Sequence, residues 1–227
     1  PRLEIVVPEE RTQAVADALM PTADLVLGDW TPQLRVDDPG SRVCFVQQPG
    51  VGVDGIDLTR CSELRVPVAN CAGANSISVA EWCLSATLAM LRTTVEADAA
   101  VRRGEWPQTS GRGRELAGLS VGVVGMGTIG RRLTAMFDAL GCQVTYWSRS
   151  RHADAPVPYQ DLDSLIASCD VVVLVIALGD QTRELINAER LATMKPTALL
   201  VNGARGQVVD EAALAAALTG GQLAGAA

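Results

Sequence analysis

The chain has 227 residues, 48% hydrophobic and 20% charged, with a net charge of −7. This is the composition of a folded globular protein rather than a disordered one, long enough for one large domain or two modest ones. It excludes non-specific nucleic-acid binding, which needs clustered Lys and Arg, and no apolar run reaches the roughly 20 residues of a membrane-spanning helix.

The start, Pro1-Arg2-Leu3-Glu4, does not read as a signal peptide. Leu3-Glu4-Ile5-Val6-Val7 reads as a short buried strand, and residues 12–20 as a helix with Val15, Ala16 and Leu19 on one face. Asp24 to Gly28 is a second strand. Residues 31–40, with Pro and Asp, are loop-like. Val43-Cys44-Phe45-Val46 forms a third strand that runs into Gly50-Val51-Gly52-Val53-Asp54-Gly55, and Val66-Pro67-Val68-Ala69-Asn70 closes the first half. A helix then runs from about residue 76 to 102, long enough to bridge two domains. Ser76 or Ser78 can cap its start, with Glu81 three residues after Ser78, as in a capping box. Residues 103–118 are polar and glycine-rich, hence a loop.

The second half alternates. Strands are expected over 120–124, 143–147, 171–176 and 198–202, and helices over 131–140, 161–167, 187–194 and 211–218. Such alternation predicts a parallel, doubly wound sheet with right-handed crossovers. The last residues, Leu223 to Ala227, look like a strand beginning. With no initiating Met at the start, the chain reads as a fragment of a longer protein.

The six cysteines, at 44, 61, 71, 83, 142 and 169, form no CxxC pair and sit mostly in apolar runs. They point to free buried thiols in a reducing cytoplasm and not to a metal site.

The most informative segment is Val121-Gly122-Val123-Val124-Gly125-Met126-Gly127-Thr128-Ile129-Gly130. A strand feeds Gly-x-Gly-x-x-Gly and a helix follows, the context a dinucleotide fingerprint requires. Gly125 permits the tight turn, Gly127 leaves the pyrophosphate an open path to the backbone, and Gly130 lets helix and strand pack closely. The phosphates would then lie at a helix N-terminus.

The residue that reads the adenosine ribose falls at the end of the next strand, about 20 residues on. There the chain has Tyr146-Trp147-Ser148-Arg149-Ser150-Arg151, with no carboxylate before Asp154. Arg149 can fork onto a 2′-phosphate, which predicts NADP preferred over NAD; solvated loop charges are the plainer alternative. Arg205, at the end of an apolar strand, can grip a carboxylate bidentately, although such an arginine is often a surface ion-pair residue. The glycines of residues 50–55 leave N–H groups for an anion nest, or form a plain turn.

In combination and in order, these segments resemble the D-isomer-specific 2-hydroxyacid dehydrogenase family over essentially the whole chain. Residues 50–57 are similar to its substrate-carboxylate loop, Val66 to Asn70 and Gly73 to Glu81 to its interdomain segment, Gly125 to Gly130 to its cofactor turn, Asn202 to Gly206 to its catalytic-arginine segment and Asp210 to Leu214 to its following helix. The resemblance implies a flavodoxin-like substrate domain over 1–88 and a dinucleotide-binding Rossmann domain over 89–227. It implies an oxidoreductase, a reductase of 2-oxo acids such as glyoxylate or hydroxypyruvate.

It further implies that Arg205 grips the carboxylate and carbonyl, that Val51 and Gly52 N–H groups hold the carboxylate, and that Asn75 lines the substrate crevice. Val79 would touch the nicotinamide, and Thr128 and Ile129 would cover the pyrophosphate. Ser148, Arg149 and Ser150 would meet the ribose; Ala177, Leu178, Thr182, Gly203 and Ala204 would flank the rest. The chain departs from the family at Ala177, where Pro is usual, and at Gly203, where Thr is frequent. The family's acid/base His and its Glu are expected downstream of the arginine segment, past residue 227. The only histidine, His152, lies beside the ribose loop. The resemblance also implies a homodimer. A rival reading, a dinucleotide-binding regulator or scaffold without turnover, has no partner-binding tail or Pro-rich segment to support it.

Overall fold

The computed structural model describes residues 4–10, 12–28, 42–106 and 113–227. The loop expected over 31–40, and residues 107–112 of the loop expected over 103–118, lie outside them. The chain divides into two units, Pro1–Ala74 and Asn75–Ala227.

In the first unit, helix α1 (Gln13–Leu19) starts at Thr12, whose side chain accepts from Val15 N–H. Strands β1 (Leu25–Leu27), β2 (Phe45–Gln47) and β3 (Val68–Ala69) form a parallel sheet in chain order. Consecutive neighbours of this kind match the 3-4-5 side of a flavodoxin-type sheet. Met20, Val43, Val46, Ile56, Cys61 and Val66 form its core. Of the strand expected over 3–7, the described residues 4–7 form none: Ile5, Val6 and Val7 are exposed. An apolar run becomes a strand only against a ladder partner, and no described residue pairs with it. Helix α2 (Leu58–Glu63), capped by the Asp57 carboxylate on Arg60 N–H, went unread in the sequence.

The second unit begins with α3 (Ser76–Leu91) and α4 (Thr94–Arg102). These replace the single helix expected over 76–102. Thr93 takes the left-handed conformation (φ 48), and the Leu91 carbonyl accepts from Arg114 N–H at 2.8 Å, so the backbone ladder stops there. The capping box is also absent: Asn75 is the N-cap residue and makes no side-chain cap bond. Ala80, Cys83 and Leu91 of α3 are buried with Val121, Leu133 and Phe137. That packing places the division at Ala74/Asn75 rather than at 88/89.

Strands β4 (Ser120–Val124), β5 (Gln143–Trp147), β6 (Val171–Leu174), β7 (Leu199–Asn202) and β8 (Gly225–Ala226) form a parallel sheet ordered β5-β4-β6-β7-β8. Tyr159 adds a single parallel bridge beside Tyr146 of β5. With that bridge as a residual strand, the order becomes the Rossmann sequence 3-2-1-4-5-6. Helices α5 (Thr128–Ala139), α6 (Leu162–Ser168), α7 (Ala188–Thr193) and α8 (Glu211–Thr219) follow the strands. Asp161, Asn187 and Asp210 cap α6, α7 and α8 through their side chains, each worth about 1 kcal/mol.

Alternation explains the apolar strands. Val171 and Val173 join the cluster containing Leu133 and Phe137; Val172 and Leu174 join the one containing Leu165 and Leu191. Both faces are covered, so no polar alternation is needed. Each buried Val or Leu contributes about 1.5–3 kcal/mol. Among the described residues no helix is long and apolar enough to cross a membrane.

Candidate functional site

The site starts where β4 ends. Gly125 has φ 112, and a Cβ there would stand 2.5 Å from the Val175 carbonyl oxygen. Its N–H donates to Trp147 O at 2.8 Å, which ties the turn to the end of β5. A Cβ on Gly130 would collide with Gly125 O. Gly127, the N-cap residue of α5, differs: a Cβ there meets nothing within 4 Å, and the helix start carries no side-chain cap. The first N–H groups of α5 therefore face open space, where an anion gains from them and from the helix dipole. These residues fit a pyrophosphate. Thr128 and Ile129 open the helix at that point.

At the end of β5, Ser148 is buried and its Oγ donates to Ser150 O at 2.7 Å. Arg149 and Ser150 are exposed. The rest of the loop is tied down. The buried Tyr146 hydroxyl accepts from His152 N–H at 2.9 Å and donates to His152 O at 3.2 Å. Arg151 stacks 4.3 Å over the Tyr159 ring. Asp154 pairs with Arg131 of α5 at 2.9 Å, and that guanidinium holds its carboxyl below the usual carboxylate range. Of the two loop arginines, Arg151 is committed to an aromatic face and Arg149 is not. The His152 side chain is exposed, on the loop after β5.

After β6, Thr182 Oγ accepts from Gly179 N–H and donates to Ala177 O, both at 2.8 Å. This closes the turn from Ala177 through Leu178 to Thr182 without a proline at 177. After β7, Gly203 N–H donates to Leu174 O at 2.9 Å. Asn202 then clamps the turn: its Oδ1 accepts from Ala204 N–H at 3.0 Å and its Nδ2 donates to Arg205 O at 2.8 Å. Arg205 is half-buried in extended conformation, with Nη1 donating to Ala204 O at 2.9 Å.

All four strands are parallel. The glycine turn, Ser148 to Ser150, Ala177 to Thr182 and Gly203 to Arg205 thus share the carboxyl-terminal edge of one sheet, the edge where such folds bind ligands. Val79, on α3, lies against Gly203; Asn75 is exposed at the start of that helix.

Val51 and Gly52 belong to the first unit. Asn70 Nδ2 donates to Val51 O and Gln48 Nε2 to Gly52 O, both at 2.7 Å. No hydrogen bond among the described residues engages their N–H groups. Two successive N–H groups are thus left for an anion. Gln48 itself is 2% exposed.

Asn202 and Cys83 were not singled out from the sequence. The first carried a readable signal, since Asn so often bonds backbone two or three residues on. The six cysteines are all free; Cys61, Cys83, Cys142 and Cys169 are buried, Cys71 is half-buried and Cys44 exposed. Among the described residues no group of three His, Cys, Asp or Glu side chains could hold a metal ion.

These features define an NAD(P)-binding domain of Rossmann type. The family model described as D-isomer specific 2-hydroxyacid dehydrogenase, NAD binding domain, matches residues 84–227. The chain belongs to that family. It is 32% identical to hydroxypyruvate reductase of Thermotoga maritima over 92% of this chain and 65% of that protein. It is 37% identical to D-3-phosphoglycerate dehydrogenase of Mycobacterium tuberculosis over 91% of this chain and 40% of that one. Among solved structures, D-lactate dehydrogenase of Aquifex aeolicus with NAD and lactic acid superposes with a TM-score of 0.84 at 30% identity, over 93% of this chain and 65% of that one. The chain thus spans less than two thirds of the length of these relatives.

Proposed function

We propose that the protein carrying this chain is an NADP(H)-preferring reductase of small 2-oxo acids, with glyoxylate or hydroxypyruvate as substrate. The observation that carries the reading is the open Gly127 at the uncapped start of α5, on the same sheet edge as Arg205.

A bound nicotinamide supplies the hydride equivalent to the substrate carbonyl carbon. The chain's own residues orient and stabilise. Thr128 and Ile129 cover the pyrophosphate, and Gly125 and Gly130 keep the backbone close enough to reach it. Val79, Ala177, Leu178, Thr182, Gly203 and Ala204 flank the remainder. Val51 and Gly52 carry the likeness to the family's substrate-carboxylate loop, and Asn75 the likeness to the segment that lines its crevice. Arg205 takes the carboxylate and stabilises the charge that develops on the carbonyl oxygen. His152 takes no proton role, because it lies on the loop that meets the adenosine ribose; the proton that turns the alkoxide into the hydroxyl comes from a general acid other than the residues named here.

Arg149 supports the NADP preference: it is exposed at the ribose-reading position and makes no ion pair among the described residues. D-lactate dehydrogenase of A. aeolicus binds NAD, so NADH remains the competing cofactor. Free cysteines support a cytoplasmic setting. Exposed Ile77 and Trp82 on α3 support a homodimer formed through that helix. The net charge of −7 speaks against nucleic-acid partners.

The test uses the full-length protein. NADPH and a panel of 2-oxo acids are mixed with it and the reduced nicotinamide absorbance is followed. Turnover with a two-carbon or three-carbon acid is the expected result, and Arg205→Lys should lose most of it while still binding NADPH. No turnover with any acid would leave the proposal without its reaction.

A further inference from the structure

Gly203 stands in a closed socket. A Cβ built on it would lie 2.5 Å from Cys83 Sγ, and 3.3 Å from both Val79 Cγ1 and Val175 Cγ1. Cys83 is 0% exposed, and its own backbone carbonyl accepts from Thr87 Oγ at 2.8 Å. Burial pushes its thiol up to about 11, so it stays protonated and packs as a small apolar group. Val79 and Cys83 are one helical turn apart on the same face of α3. The sulfur therefore occupies the space that a side chain at 203 would need, and α3 sits directly on the end of β7.

We propose that Cys83 is a positioning residue for the dinucleotide: with Gly203 it sets how closely Val79 of α3 approaches the Gly203–Ala204–Arg205 turn. The inference rests on the cofactor reading above. The turn transmits the effect, because Asn202 ties Ala204 and Arg205 to the strand that ends at 203. A methyl group added at 203 displaces the Cys83 sulfur, and because Cys83 is fully buried the displacement bears on α3 and on Val79 with it. Removing the sulfur restores the room, since the exchange of one sulfur for one methyl nearly conserves volume.

The experiment is a double-mutant cycle on the full-length protein, read as NADPH dissociation constants by fluorescence titration and as unfolding midpoints. Gly203→Ala should weaken NADPH binding about tenfold, the scale of an overpacked contact. Cys83→Ala, which leaves the socket one sulfur short, should weaken it about fivefold. The double variant should return to within about threefold of the parent. A purely structural contact would lower midpoints and leave the affinity of the folded protein unchanged, which would overturn the proposal. So would a double variant as weak as Gly203→Ala. If Gly203→Ala does not fold, the double variant decides: folded and binding supports the pairing, and unfolded or non-binding refutes it. A parent that binds no dinucleotide would instead defeat the cofactor reading, and the positional role with it.

Discussion

Asn202 holds Arg205 by its backbone: Asn202 Nδ2 donates to the Arg205 carbonyl at 2.8 Å while Oδ1 of the same side chain takes Ala204 N–H at 3.0 Å. The guanidinium is thus carried on a turn that one side chain ties at two points, and the Arg205 carbonyl also accepts from Val208 N–H at 3.1 Å. Asn202→Ala should lower kcat about tenfold, because misplacing a reacting group by a fraction of an ångström is costly, and should change NADPH affinity less. Asn202→Asp keeps the acceptor and should recover part of the loss. Steady-state kinetics beside a binding titration separates the two. Equal loss in both would mean that Asn202 serves the cofactor and not Arg205.

Arg149 is the residue on which the choice of cofactor turns. Arg149→Ala should weaken NADPH binding about tenfold or more, the worth of hydrogen bonds to a charged group, and leave NADH nearly unchanged. Dissociation constants for both cofactors check this. An equal effect on the two would remove the 2′-phosphate from the account.

Asp170 anchors the opposite, amino-terminal edge of the sheet. Its carboxylate, 17% exposed, takes Lys195 Nζ at 2.9 Å, Ser120 Oγ at 2.7 Å and Ser120 N–H at 3.0 Å. Burial alone would raise its pKa, but the bonds from Lys195 and Ser120 outweigh it and bring it down from 3.8 to about 2. A carboxyl with a depressed folded-state pKa stabilises the fold fully above the unfolded value and loses that contribution as pH falls through the folded one. The window is therefore from about pH 4 down to about pH 2, and the amount about 2 kcal/mol. Asp170→Asn should lower the unfolding midpoint at neutral pH and flatten its fall across that window. Parallel curves for the two proteins would contradict the assignment.

Gln48 offers a test confined to the first unit. Its Nε2 braces Gly52 O, and its buried Oε1 has no partner among the described residues. Gln48→Leu removes the brace and the orphaned acceptor together, so stability should change little. The loop of Val51 and Gly52 should loosen, raising KM for the 2-oxo acid several-fold with the NADPH dissociation constant unchanged. An unaltered KM would detach that loop from the substrate.

Local chemistry made much of this legible. The glycine turn, the apolar strands after residue 120 and the helices starting near 161, 187 and 211 each follow from a few neighbouring residues, and all took their expected places. What escaped was decided at a distance. The break between α3 and α4 depends on Arg114 taking the Leu91 carbonyl, which no helical periodicity reports. Ile5 to Val7 have a strand's composition but no described neighbour. The strand beside β5 shrinks to the bridge at Tyr159, leaving too short a run to read. Cys83 gains its meaning only from Gly203, far along the chain, across a packed helix and strand.

The central claim is that the turn from Gly125 to Gly130 receives a phosphorylated dinucleotide. Gly127 tests it with the least interference, because a side chain there touches nothing in the protein and its φ of −79 suits any residue. The measurement is NADPH titration of the full-length protein and of Gly127→Val, beside their unfolding midpoints without ligand. The account predicts saturable binding by the parent, binding weakened at least about a hundredfold in the variant, as a blocked close approach demands, and midpoints within a few degrees. Equal NADPH affinity in two equally stable proteins would contradict it.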